Sequence, residues 1–224
     1  ISPLAIHDAT RRREEDPFTA RLARVAPTHL IATRSRFEFD INRTREAAIY
    51  RTPEEAFGLG VWREPLPASA MERSLEGYDA FYSVLERVLR ERERRTGRFV
   101  VLDVHSYNHR RLGVSPTAAG EPEIKVGTGT LDRARWGALV DRFIGDLSGS
   151  VEGGLDVREN VRFLGGEMSA WIHRTFPATG CALALEFKKT FMDEWSGEPW
   201  EDRMALLERA LASSLPGLIE SLGS

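Results

Sequence analysis

Phe99-Val-Val-Leu-Asp-Val-His105-Ser-Tyr-Asn-His109 is an apolar run that ends on a histidine flanked by polar residues. The part from Phe99 to Val104 has the length and the β-branched content of a buried strand. In open α/β sheets ligands bind beyond the carboxyl ends of strands, so His105 stands where function is expected. Histidine at such a place suits metal ligation, acid–base chemistry or a purely structural role alike.

Working outward from that strand, short apolar runs alternate with long amphipathic stretches, the pattern of strands and helices in a covered sheet. Leu4 to Ile6, His29 to Thr33, Phe37 to Ile41, Val161 to Leu164 and Ala182 to Phe187 are read as further strands. Ser69 to Arg95 carries Phe81, Val84, Leu85, Val88 and Leu89 at helical spacing and then a run of Arg and Glu, which predicts a long surface helix. Leu131 to Leu147 and Glu201 to Leu222 repeat the pattern, with Pro216 expected to kink or restart the last helix. The segment from Arg110 to Lys125, rich in Gly, Pro, Ser and Ala, reads as a loop beside whatever site the preceding strand presents.

A chain of 224 residues can bury one sizeable core, which makes a single α/β domain over residues 1–224 the default. With 42% hydrophobic and 29% charged residues it has the composition of a globular protein. A formal net charge of −3 lacks the basic excess that binding a phosphate backbone requires, so no nucleic-acid partner is expected. The single cysteine, Cys181, lies in an apolar run and reads as a buried, inert thiol. No apolar stretch is long enough to cross a bilayer and no signal core is evident, which points to a cytoplasmic protein with no membrane partner.

Four constellations carry the candidate chemistry. Leu4-Ala-Ile-His7 repeats the pattern of a strand delivering a histidine, and two such histidines suggest a shared site. A hydrolytic zinc ion takes three nitrogen or carboxylate ligands and keeps one position open for water, so one of Glu14, Glu15 and Asp16 could join them; acids at a helix start explain the same triplet. Arg34-Ser-Arg36-Phe-Glu-Phe-Asp-Ile-Asn42-Arg43 alternates like a strand leading to a polar tip, where Asn42 and Arg43 could orient and clamp a substrate carboxylate, or Arg43 could form a surface ion pair. Glu186 sits in the apolar run Ala182 to Phe187, where desolvation would fit it to take a proton from water; an ion pair with Lys188, on the same strand face, is the alternative.

These constellations, in this order, resemble the N-formylglutamate amidohydrolase family. The strings that carry the resemblance are Glu14-Glu-Asp-Pro-Phe-Thr19, Ser35-Arg-Phe-Glu-Phe-Asp-Ile-Asn-Arg43, Asp103-Val-His-Ser-Tyr-Asn-His-Arg-Arg111 and Phe191-Met-Asp-Glu-Trp195, so it covers nearly the whole chain. It implies the fold of the zinc carboxypeptidases, phosphorylase/hydrolase-like: three α/β/α layers around a mixed, mostly parallel sheet. It also implies a Zn2+ ion held by His7, Asp16 and His105, with Glu15 as the fallback carboxylate. The carboxypeptidases place their metal glutamate three positions after the first histidine, and Thr10 stands there, so that ligand does not carry over. The stretch between His7 and Glu14 is also shorter than in family members, and Ala9 replaces their glycine.

The roles implied for the rest are Asn42 and Arg43 on the substrate carboxylate, Glu186 as general base and Arg36 as a donor to the oxyanion. Gly165 and Gly166 could let backbone approach the substrate, or could mark a simple turn. The expected substrate is a small N-acyl amino acid such as N-formylglutamate. A zinc carboxypeptidase acting on short peptides and a non-catalytic binding domain of the same fold are the alternatives.

Overall fold

The computed structural model describes residues 4–110 and 120–223. Its centre is a four-stranded sheet of β1 (Phe99–Tyr107), β2 (Ile124–Gly127), β3 (Val157–Glu159) and β4 (Gly180–Lys188). The spatial order is β1-β4-β2-β3. β1 runs parallel to β4 and β2 parallel to β3, while β2 and β4 are antiparallel, so the sheet is mixed and mostly parallel.

Side chains on a strand alternate between faces, and each face of this sheet meets its own core. Ile124, Val126, Leu183, Leu185 and Phe187 pack with α4 (Arg133–Ser148) and α6 (Glu201–Gly223). Phe99, Val101 and Ala182 pack on the other side with α3 (Ala68–Thr96) and α5 (Glu167–Thr175). Farther along the strands that second face turns polar: Asp103, His105 and Tyr107 follow Val101 at the same parity, and Ala184, Glu186 and Lys188 follow Ala182. The polar patch at the carboxyl end of two parallel strands is the site.

The long periodic helices fall where their spacing predicts. α3 ends at Gly97, whose φ of 74° is the left-handed geometry of a helix stop, and α4 is capped by Asp132, whose side chain accepts from Ala134 N and Arg135 N. α6 passes through Pro216 as one helix, so the expected restart does not occur. None of the helices of the described residues is long and apolar enough to cross a membrane.

Four of the expected strands are absent. Leu4 makes only an isolated bridge to Trp62. His29 to Thr33 has no regular structure and lies mostly on the surface. Phe37 to Ile41 is a turn, held by Ser35 and Asp40 side chains that accept from Phe37 N and Asn42 N; its apolar alternation comes from Phe37 and Phe39 entering two separate cores. Val161 to Leu164 follows β3 as a bend between Asn160 and Arg162, both with positive φ, which breaks an extended run. Of the expected loop from Arg110 to Lys125, residues 111–119 lie outside the described part, and Lys125 belongs to β2.

Candidate active site

Among the described residues β1 is an edge strand, so one of its rows of backbone groups has no strand neighbour there. Asp16 fills that place. Its Oδ1 accepts from Ser106 N at 2.7 Å and Ser106 Oγ at 3.1 Å, and its Oδ2 lies 3.2 Å from His105 Nδ1. On the far side of the imidazole, Nε2 is 2.9 Å from Asp103 Oδ1. Ionised carboxylates only accept hydrogen bonds, so the pair favours protons on both ring nitrogens. Burial opposes that charge, but Asp103 and Asp16 outweigh it and raise the imidazole well above its usual range. Burial likewise works against charge on Asp16, yet the hydrogen bond and charge of His105, with Arg36 beyond, hold it well below the usual carboxylate range.

Across the sheet, His105 pairs in register with Glu186 of β4, and Glu186 with Lys125 of β2, so three ionisable side chains form one row on one face. Burial pushes the Glu186 carboxyl up to about 7, against the pull of His105. Its Oε2 is buried without a hydrogen-bond partner. The alternative pairing with Lys188 is not made: Lys188 Nζ reaches the Glu121 carbonyl at 3.3 Å. Lys125 turns to Glu121, with Nζ 2.7 Å from Oε2, and sits 4.0 Å from the Tyr107 ring centre.

The Arg36–Arg43 turn closes the other side of the site around Asp40, which is 2% exposed. Arg36 donates to Asp40 Oδ2 through Nη2 at 2.6 Å and Nε at 3.2 Å, Tyr50 donates its hydroxyl to the same oxygen, and Arg43 Nε lies 3.8 Å away. Arg36 Nη1 is also 3.9 Å from Asp16 Oδ2, which joins this turn to the His105 cluster. Arg43 and Asn42 therefore occupy a turn and not the strand end expected for them. Arg43 is fastened by Nη2 to the Glu55 carbonyl at 2.8 Å. Asn42 lies with Nδ2 3.1 Å from His105 Nε2, while its Oδ1 accepts from Met168 N at 3.3 Å. Gly166 makes room for it, since a Cβ there would meet Asn42 Oδ1 at 2.2 Å.

His7 does not end a strand. It is exposed and caps α1 (Asp8–Glu14), its Nδ1 accepting from Ala9 N at 3.3 Å. Leu4 to Ile6 is too short and too weakly paired to carry it to the sheet. Glu15 is engaged by Arg11 at 2.7 Å and by Ser35, and Glu14 by Asn108 at 3.0 Å, which leaves Asp16 as the acid beside His105. Among the described residues no group of three His, Cys, Asp or Glu side chains is placed to hold a metal ion. Of the expected set His7, Asp16 and His105, the last two lie together while His7 caps α1, so a metal ion held by all three would require His7 to move.

Sequence reasoning missed four side chains that shape the site. Asp103 shares the parity of His105 in the same strand, a signal the sequence does contain. Lys125 lies in a stretch expected to be loop. Asp40 looks like any strand-flanking acid until the turn folds around it. Lys189, 1% exposed, donates from Nζ to Arg13 O at 2.5 Å, Asn108 Oδ1 at 2.7 Å and Glu15 O at 2.8 Å, and so ties the segment before Asp16 to the end of β4. Cys181 is buried, its thiol pushed up to about 12 by desolvation.

Solved structures give the fold a context. N-formylglutamate amidohydrolase from Ralstonia eutropha JMP134 superposes with a TM-score of 0.75 at 21% identity, covering 97% of this chain and 86% of its own. A gene product of Agrobacterium tumefaciens reaches 0.53 at 19% identity, covering 83% of this chain and 69% of its own. No curated protein sequence matches. At such identities these likenesses speak for the α/β fold alone. The sequence model of N-formylglutamate amidohydrolases matches residues 2–192, a span that holds Asp16, the Asp40 turn, His105 and Glu186, and the chain belongs to that family.

Proposed function

We propose that this chain hydrolyses the amide bond of a small N-acyl amino acid such as N-formylglutamate, with Glu186 as the general base. The observation that carries the reading is the state of Glu186: a buried carboxylate poised near neutral pH, with one oxygen unbonded, next to the imidazole of His105. Such a group takes a proton from water at neutral pH and returns it to the leaving amine. Arg36, 3.9 Å from Asp16, supplies positive charge where the carbonyl oxygen gains electrons. Arg43 and Asn42 hold the substrate carboxylate at the turn.

Turnover of a panel of N-formyl and N-acetyl amino acids and short peptides tests this. Glu186→Gln keeps the size of the side chain and removes the base, so hydrolysis should fall by about 10² to 10⁴ while the melting temperature holds or rises. Near-normal turnover in the variant would assign the base elsewhere.

Zinc enters this proposal through the family resemblance. Asp16 and His105 would supply two ligands, and His7 would have to leave its helix cap to supply the third. Zinc titration of the wild type and of His7→Ala, followed by calorimetry, reads this directly. A loss of affinity of about tenfold or more in the variant supports the three-ligand site, and equal affinity removes His7 from it.

A further inference from the structure

On the side of Glu186 away from His105, the ionisable row of the sheet runs into a group of cations. Lys125 of β2 stands directly opposite Glu186 of β4, where the Cβ atoms of an antiparallel pair lie about 5 Å apart. Lys188 follows Glu186 on the same face of β4. Arg162 comes in from the bend after β3 with a φ of 59°, in the left-handed region that bulky side chains avoid. That bend is pinned to the end of β2, because Asn160 Oδ1 accepts from Thr128 N and its Nδ2 donates to Thr128 Oγ1, both at 2.9 Å. Strained residues of this kind cluster at ligand sites, where their surroundings over-determine them.

Among the described residues, these three cations converge on one carboxylate of the chain itself. Lys125 Nζ is 2.7 Å from Glu121 Oε2, Arg162 Nη1 is 2.9 Å from Oε1, and Lys188 Nζ donates to the Glu121 carbonyl at 3.3 Å. The hydrogen bond from Lys125, with the charges of Lys125, Arg162 and Lys188, holds the Glu121 carboxyl below its usual range. Glu121 lies outside every strand and helix, so its side chain can swing away without unpairing one.

We propose that Lys125, Lys188 and Arg162 form the subsite for the side-chain carboxylate of an acidic N-acyl amino acid, and that Glu121 fills this subsite until substrate displaces it. This rests on the amidohydrolase reading above. With the scissile amide at Glu186 and the α-carboxylate at the Asn42–Arg43 turn, beside His105, a side chain directed along the row reaches Lys125 one strand away. A glutamate side chain ends in a carboxylate that can take over the ion pairs of Glu121. A neutral side chain either meets a filled subsite or empties it and leaves cations without an anion, which costs more than losing a neutral hydrogen bond.

The test compares kcat and KM for N-formylglutamate and N-formylglutamine in the wild type, Arg162→Ala and Glu121→Gln. The two compounds differ only in the charge of the side-chain end. The wild type should favour the glutamate compound by about tenfold or more, the scale of a charge-assisted hydrogen bond. Arg162→Ala, a change at an exposed residue, should cut that preference about tenfold, through KM for the glutamate compound. Glu121→Gln should lower KM for N-formylglutamate by about threefold or more, because apparent affinity is reduced by the fraction of sites already filled. Equal losses on both compounds in Arg162→Ala, or a raised KM for N-formylglutamate in Glu121→Gln, overturns the proposal. If neither compound is hydrolysed, the amidohydrolase reading fails, and calorimetric binding still decides the subsite: tighter binding of N-formylglutamate that weakens in Arg162→Ala upholds it, and equal binding of the two compounds, or none, removes it.

Discussion

At Glu186, catalytic readiness and stability pull in opposite directions. The folded carboxyl titrates at about 7 because it is buried, whereas an unfolded glutamate titrates at about 4.3. Between those values the native state holds a proton that the unfolded chain has lost, so stability falls as the pH rises through that window and levels off above it. The base form needed for hydrolysis appears over the same range. Wild-type kcat/KM should therefore climb as the pH passes about 7. Glu186→Gln, which has nothing to ionise, should be more stable than the wild type at pH 8 by on the order of 3 kcal/mol, the gap closing towards pH 4 in thermal melts. A gap that stayed constant with pH would mean that the glutamate keeps its usual acidity. The placement of Glu186 and His105 at one end of the sheet was legible in the sequence because each is a polar residue in an apolar strand, a pattern that marks position and leaves the role open. The strand expected to deliver His7 failed by the same rule, since three apolar residues do not make a strand unless the sheet has an edge to receive them.

Among the elements, α1 and β4 meet through one ammonium. The last carbonyls of a helix have no partner within it, and Lys189 supplies a charged donor to Arg13 O and Glu15 O while also taking Asn108. Replacing it by methionine keeps the volume and strands those acceptors in a buried place, where each unmet group costs about 1 to 3 kcal/mol. Lys189→Met should lower stability by about 2 to 4 kcal/mol in chemical denaturation, and should speed hydrogen exchange at Ser106 N, the amide that Asp16 holds, beyond what global unfolding explains. Exchange rising evenly over the whole sheet would reduce Lys189 to a general brace. The long helices were readable from their spacing because α3, α4 and α6 each bury a continuous stripe. The Arg36–Arg43 turn was not, for its alternation comes from side chains that close turns and send neighbouring rings into different cores. Asp40, the residue that organises it, gives no periodic signal at all.

For the molecule as a whole, the α/β class and the mixed, mostly parallel sheet follow from alternating apolar and amphipathic segments together with the family resemblance. Strand order does not, because which edges pair depends on contacts between distant segments that one sequence leaves unspecified. That order has a consequence for how the chain comes to be folded. β1 is complete at Tyr107, yet β4, its strand neighbour among the described residues, begins at Gly180, and the β2–β3 pair joins the sheet through that same strand. During synthesis the first strand leaves the ribosome before β4 exists to pair with it, and before α4 and α6, whose side chains complete the core over Val100, Leu102 and Val104. Closing so distant a pair makes assembly slow and exposes a nascent chain to aggregation. The His105–Glu186 row forms in the same late step, so a chain cut short before β4 lacks both the strand that joins β1 to β2 and the base itself.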